Sequence, residues 1–434
     1  MKKLFSIVAS LMVVASVTAE GYQVNLQSAR QAGMGHVGTG MKLGAESMHF
    51  NPAGLTSIEG LGDVSFNGSA VISSVEYTNS DHLHKSSRGL STPMGGYAGF
   101  KINERWAAGI AVTTPYGSSL DWGKNWVGAH HVQDISLKAF SFQPTVAFKI
   151  LPNLSVGGGL NVYTGSFELN KSLLPVGYKP GMPALDPAFP SDEPAASVNI
   201  TGKSNIAVGF NLGFLWDVRE NVTLGISYRS KATLKVKDGS SAVNYYSDNI
   251  AGLLPIVQPS LSIIDGGNVE TELPAPSNLT LGASYKINER WLVAADLQYV
   301  GWNAYDSLNF KFEQEGKIAE VKAEKGYSST IAARFGAEFN VIELLTLRAG
   351  YYFDQTPVNA LHYSPETPGA NKHAFTFGGT LNLFKGFAIH GAAAYVFGKT
   401  KDAKLPDSMV SGGSFNGTYS PKALNLSVGV QYQF

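Results

Sequence analysis

The chain of 434 residues has no cysteine and little charge. The missing cysteine excludes disulfide frameworks, thiol nucleophiles and thiolate metal centres. Aspartate, glutamate, lysine and arginine supply 15% of the residues, against roughly 25% in an average soluble domain. The 33 basic and 33 acidic side chains balance, so no bulk charge draws the chain to nucleic acid. Beyond residue 20 no run of 18 apolar residues occurs, so no transmembrane helix is expected. Even so, 44% of the residues are hydrophobic and 48 are glycine, a share above the usual ~7%. Such a composition does not suit an ordinary cytosolic globule.

The first residues bear on the compartment. Lys2 and Lys3 precede an almost entirely apolar stretch from Leu4 to Val17, and Val17-Thr18-Ala19 offers small residues for cleavage. This is the pattern of a secretory signal peptide over residues 1–19, too short for a comfortable bilayer span of about 20 residues.

The remaining apolar residues alternate with small or polar ones. In the last such segment Leu424, Leu426, Val428, Val430, Tyr432 and Phe434 interleave with Asn425, Ser427, Gly429, Gln431 and Gln433. Leu345, Leu347, Ala349, Tyr351 and Phe353 alternate in the same way with Thr346, Arg348, Gly350, Tyr352 and Asp354. A period of two puts one row on each face of a sheet. The segments run to about ten residues, the length of a tilted membrane span, whereas soluble strands average 5–6. Aromatics such as Trp106, Trp216, Tyr228, Trp291, Tyr299 and Tyr432 gather near the ends of the apolar rows, as interfacial girdles require.

Connections give a strand count. Short turns are expected at Asn103-Glu104, Leu151-Pro152-Asn153, Arg219-Glu220, Asn288-Glu289, Val341-Ile342-Glu343 and Lys385-Gly386. Seven longer segments lie near 79–91, 115–134, 171–198, 238–271, 304–326, 357–372 and 400–420. Together they join fourteen strands, short turns on one side and long loops on the other, as in outer-membrane barrels. The block Lys101–Trp106 recurs as Lys286–Trp291 and reads as one turn design used twice. The expected fold is all-β, a 14-stranded antiparallel transmembrane β-barrel over residues 61–434, located in the bacterial outer membrane.

Residues 20–60 do not alternate. Their Met34, Val37, Met41, Leu43, Met48, Phe50 and Leu55 favour a packed, mostly helical hatch, or plug, inside the lumen over a floppy extension. Several segments then carry a resemblance. These are Asn51-Pro52-Ala53; Thr114-Pro115-Tyr116-Gly117 with Trp122 and Trp126; Leu273-Pro274; Trp302; and Arg348–Val358 with its Asp354-Gln355-Thr356-Pro357-Val358 end. In these the chain resembles the FadL family of outer-membrane long-chain fatty-acid transporters, whose aromatic-hydrocarbon members include TodX. The resemblance implies a plugged fourteen-stranded barrel, passive uptake of hydrophobic molecules and a lateral opening in the wall.

No catalytic constellation, metal site or cofactor motif stands out. Gly33–Gly38 fits G-x-G-x-x-G formally but lacks a β-α-β context. His130-His131 reads as a solvated loop pair rather than a metal site. For transport, Ile250, Leu253, Leu254 and Val257 form a helical row with Leu261, a candidate capture surface for an apolar ligand. Its plainer reading is that this loop and the Leu173–Tyr178 loop cap each other. Arg229, Arg334 and Arg348 follow the inward alternation and are candidate partners for a carboxylate head group. The alternative for each is a lumen network with Glu338, Asp354 or Asp296. Asn51-Pro52-Ala53 is expected to form a fixed corner that positions the hatch for gating. Pro93 and Pro144 are placed to interrupt strand ladders. The expected cargo is a long-chain fatty acid, with an uncharged aromatic hydrocarbon as the alternative and a general porin less favoured. Outer-membrane lipids and no nucleic acid complete the expected surroundings, with a monomer the expected state.

Overall fold

The computed structural model describes residues 21–87, 89–257, 260–399, 403–407 and 413–434. The expected signal segment, residues 1–19, lies outside the described residues. Fourteen antiparallel strands close into a barrel. They are β1 (Gly62–Thr78), β2 (Gly89–Ser91 with Met94–Lys101), β3 (Trp106–Asp121), β4 (Asp134–Leu151) and β5 (Leu154–Ser172). Next come β6 (Ala196–Lys203 with Ala207–Arg219), β7 (Val222–Arg229 with Ala232–Tyr245) and β8 (Asn268–Ala275 with Asn278–Lys286). The rest are β9 (Trp291–Val300), β10 (Thr330–Ile342), β11 (Leu345–Asp354), β12 (Lys372–Phe384), β13 (Phe387–Gly398) and β14 (Gly413–Gln433). Closure pairs β1 with β14 in unbroken register from Asp63↔Gln433 to Thr78↔Thr418, so no sheet edge is left in the bilayer.

Alternation sets the two faces. In β14, Leu424, Leu426, Val428 and Val430 are exposed on the outside while Asn425, Ser427 and Gln431 are buried on the inside. In β11, Leu347 faces out and Thr346, Arg348 and Asp354 are buried. The six short turns fall where expected. Both copies of the repeated block make the same turn: the Asn103 and Asn288 carboxamide oxygens each accept two backbone N–H bonds at 2.9 Å. Lys101–Glu104 and Lys286–Glu289 ion pairs close both.

The long connections contain more strand than their sequence pattern announces. Segment 304–326 holds the hairpin Ser307–Gln314/Lys317–Glu324. Likewise β7 runs to Tyr245, and β14 begins at Gly413, where it pairs with Ala403–Asp407. The reason is the loss of the bilayer: Lys317–Glu324 is exposed or half-exposed on both faces, so the period-two contrast fades. Pro93 lies in the break of β2. Pro144 pairs with Ile110 of β3, while the β4–β5 ladder skips from Phe142 to Thr145.

Residues 21–61 thread the barrel. Their helical turns are short: α1 (Ala29–Ala32), capped by Ser28, and α2 (Ser47–Phe50), followed by a 3₁₀ turn over Pro52–Ser57. Met34, Val37, Met41, Leu43, Met48 and Leu55 are all buried. The Gly33–Gly38 stretch is a tight corner, with Gly35 and His36 at φ +66° and +60°. Gly35 takes the left-handed conformation that is costly for most residues, while Gly33 and Gly38 allow close approach to Gly378 and Phe50. Above the barrel a separate apolar cluster joins Tyr77, Trp122, Trp126, Leu174, Ile250 and Leu254.

Candidate functional site: an apolar cavity above a hydrogen-bonded hatch

Several strands break at one level of the wall, at residues 204–206, 230–231 and 276–277. Serines patch the lost ladder bonds: the Ser204 hydroxyl accepts from the Gly165 N–H at 2.8 Å and Ser230 from that of Phe210 at 2.9 Å. Satisfying these groups locally leaves no orphaned donor at the breaks. Beside these breaks lies an apolar cavity, the kind of concave, greasy site that takes a hydrophobic ligand. Its wall includes Leu137, Phe167, Leu234, Val236, Leu273 and Phe310. These are inward side chains of upper strand segments and of the 307–324 hairpin.

The hatch supplies the floor. Tyr22 packs edge-on against Trp302 and Tyr305, with ring centroids 4.8 and 5.6 Å apart, and its hydroxyl donates to the Pro274 carbonyl. Its backbone carbonyl accepts from the Gly117 N–H, and the Val24 N–H donates to Pro115. Thus Pro115, Pro274 and Trp302, three of the residues carrying the family resemblance, meet at one place. At the cavity margin stands one ion pair. Glu366 lines the cavity and pairs with Lys325, with side chains 9% and 3% exposed. Burial, with Lys171 nearby, pushes the Lys325 ammonium down to about 7, because a dry site disfavours the charged form.

Below the floor lies a polar lumen. The three inward arginines sit in different surroundings. Arg334 donates to Asp354 at 3.1 Å and to Gln298 at 2.8 Å. Arg348 bonds Glu338 at 2.7 Å, and Arg30 of the hatch joins the same carboxylate at 3.4 Å. These two arginines therefore follow the network alternative. Arg229 is different: it donates to the His49 carbonyl at 3.0 Å and faces the His49 Nδ1 at 3.4 Å. Asp296 accepts the Gly38 and Thr39 backbone N–H groups at 2.9 and 3.0 Å.

The Asn51-Pro52-Ala53 corner is wholly buried. The Asn51 carboxamide donates to the Thr39 and Phe214 carbonyls at 2.8 and 2.9 Å, and its oxygen accepts from the Ala53 N–H at 3.2 Å. The wall receives the hatch on glycines: a Cβ at Gly157 or Gly213 would run into Pro52, and one at Gly225 into the Thr39 carbonyl.

The proposed capture row does not lie open. Ile250, Leu254 and Leu261 are buried and Leu253 is half-buried, on α3 (Asp248–Val257) and α4 (Leu261–Ile264). The side chain of Val257 lies outside the described residues. The row is covered because Leu173, Leu174, Val176 and Tyr178 pack into the same cluster, the mutual capping of the plainer reading. His130-His131 is no solvated pair: His130 is 4% exposed and both rings pack on Phe415. Among the described residues no cluster has metal-ligand composition. Lys325, Glu366 and Tyr22 escaped the sequence reading. Lys325 and Glu366 are 41 positions apart in loops with no period, so no local signal joins them.

Comparisons with known proteins agree with this architecture. An outer membrane protein of Neisseria meningitidis is 24% identical over the whole chain and 98% of its own length. The long-chain fatty acid transport protein of Escherichia coli K12 is 21% identical over 69% of each chain. A Pseudomonas aeruginosa FadL homologue superposes with a TM-score of 0.82 at 20% identity, over 95% of this chain and all of that one. The Pseudomonas putida toluene transporter TodX gives 0.69 at 18% identity, over 96% of this chain and all of that one. The model of the outer membrane protein transport proteins (OMPP1/FadL/TodX) matches residues 10–434, and the chain belongs to that family of outer-membrane transporters.

Proposed function

We propose that the chain carries long-chain fatty acids across the outer membrane by passive diffusion, after export with removal of residues 1–19. The observation that supports this most is the apolar cavity with a single buried ion pair at its margin. A hydrocarbon tail fills the greasy wall, where burial yields ~25 cal/mol per Å² of apolar surface. The carboxylate then competes with Glu366 for the Lys325 ammonium. Tyr22 closes the floor, and movement of the hatch about the Asn51-Pro52-Ala53 corner opens the way below it. No energy-coupling motif is invoked; cargo runs down its gradient.

A second reading has its own support. Lys325 is already neutralised by Glu366, and the cavity has almost no other polar lining, which suits an uncharged aromatic hydrocarbon. Titrating oleate, oleyl alcohol and toluene against the detergent-extracted barrel separates the two. The double variant Lys325→Met/Glu366→Leu removes both charges and leaves no orphan behind. Fatty-acid transport requires that it lose oleate binding and keep oleyl alcohol. Unchanged oleate binding, or toluene binding without oleate binding in the natural protein, favours the hydrocarbon channel.

A further inference from the structure

A second cavity, with about 560 Å³ of atom-free space, lies in the lumen beneath the Tyr22 floor and is lined by Gln23, Asn25 and Gln27 of the hatch. Its charged and titratable lining groups are Arg229, Arg334, Asp296, His36 and His49. Most of these are already compensated. Arg334 has the Asp354 carboxylate, and the Asp296 Oδ2 has two hatch N–H groups, while its Oδ1 is buried without a partner. Burial pushes the His36 imidazole down to about 3 and that of His49 well below its ordinary range, so both rings are neutral.

Arg229 is the cation of this cavity that lacks a carboxylate. Among the described residues no carboxylate pairs with it, and its recorded acceptors are the His49 carbonyl and imidazole nitrogen. Its Nε is buried without a hydrogen-bond partner. A guanidinium presents five donors and stays ionised at any physiological pH. Holding one in a lumen with two neutral acceptors is unfavourable unless something else completes it. The side chain is held in place by the hatch segment next to the Asn51 corner, so whatever completes it also senses hatch position.

We propose that Arg229 is an internal station for the carboxylate of a passing ligand, taking the head group in the lumen after it leaves the outer cavity. This rests on the fatty-acid reading above but uses different residues. The planar fork accepts a carboxylate in bidentate fashion, while Asp296, directed at the hatch amides, confines the anion to the Arg229 side of the cavity. An alcohol or hydrocarbon gains nothing there. Arg229 thereby discriminates by head group during passage, not during capture.

The test uses the full-length barrel in proteoliposomes, with oleate and oleyl alcohol as cargo. Arg229→Gln is expected to slow oleate passage about tenfold or more, the worth of a charge-assisted bond. Oleyl alcohol passage and oleate binding to the outer cavity stay unchanged, and Arg229→Lys restores part of the oleate rate. Equal slowing of both cargoes makes Arg229 a structural residue, and an unaltered oleate rate removes the station; either overturns the inference. A direct probe does not depend on long-chain transport. Hexanoate is expected to protect Arg229 from phenylglyoxal, read by peptide mass spectrometry, whereas hexanol is not. Equal protection by the two, or none by hexanoate, also overturns it, even if the barrel proves to carry hydrocarbons.

Discussion

Replacing Asn51 by alanine deletes three hydrogen bonds at a corner buried between hatch and wall: two donated to the Thr39 and Phe214 carbonyls and one accepted from Ala53. Each is worth about 0.5–1.5 kcal/mol net, and the stranded carbonyls add desolvation cost. The sum is about 2–4 kcal/mol against hatch docking, which multiplies the undocked population roughly 30- to 1,000-fold. The barrel itself is closed by β1–β14 pairing through Thr78↔Thr418 and contains none of these bonds except the Phe214 acceptor. Hydrogen exchange measured by mass spectrometry therefore has a definite expected pattern. Peptides within residues 21–61 exchange faster in Asn51→Ala, while peptides of β1 and β14 do not, and the barrel keeps its resistance to denaturation in detergent. Conductance of planar bilayers to small ions rises in parallel. Unchanged hatch exchange, or equal acceleration of hatch and barrel, would refute the reasoning that this corner holds the plug.

Three further outcomes follow from the same geometry. Gly225→Val places a side chain where the Thr39 carbonyl lies, so the hatch lifts from β7 and residues 21–61 become sensitive to protease in folded barrels. For His36, the docked imidazole titrates near 3 and an undocked one near 6.5. Its contribution to docking is therefore complete above pH 6.5 and falls away as the pH drops from 6.5 toward 3; protease sensitivity of the hatch should rise over that window, with buried His49 adding to the rise, and the rise should be smaller in His36→Gln. Leu426→Arg puts a charge on the lipid face, where Leu426 is 44% exposed, and should lower barrel stability by about 2–4 kcal/mol in lipid refolding titrations.

Much of the fold was legible because the bilayer imposes a sharp contrast between faces. Leu347 beside Arg348, or Val428 beside Ser427, states which side meets lipid without any tertiary information. Turn chemistry was equally plain at Asn103 and Asn288, where one side chain caps two N–H groups. Where that contrast ends, legibility ends: in the 307–324 hairpin the second strand, Lys317–Glu324, is exposed or half-exposed on both faces. Membership of a family of outer-membrane transport channels rather than enzymes agrees with the absence of a catalytic pattern in the sequence. The site was less readable. Inward direction for Arg334 and Arg348 followed from period two, but their partners depended on register: Arg334 faces Tyr352 and Glu338 faces Arg348 across β10–β11. The Ile250–Leu261 row was a true helical pattern, yet amphipathicity alone does not say whether its apolar face meets ligand or a neighbouring loop. The cavity is assembled from upper strand segments beyond the break at Ser204 and from the 307–324 hairpin, and such breaks have no periodic signature.

A hydrophobic cargo is expected to occupy the cavity between the upper strands, above Tyr22. Crystals of the barrel grown with a fatty acid brominated at mid-chain test this directly through anomalous scattering. Bromine density is expected within contact distance of Leu234 and Phe310, with the carboxylate directed to Lys325. Bromine found only in the space that Arg348 and Thr380 line beside the short turns at Glu343 and Lys385, or confined to the outer lipid face, would overturn that placement.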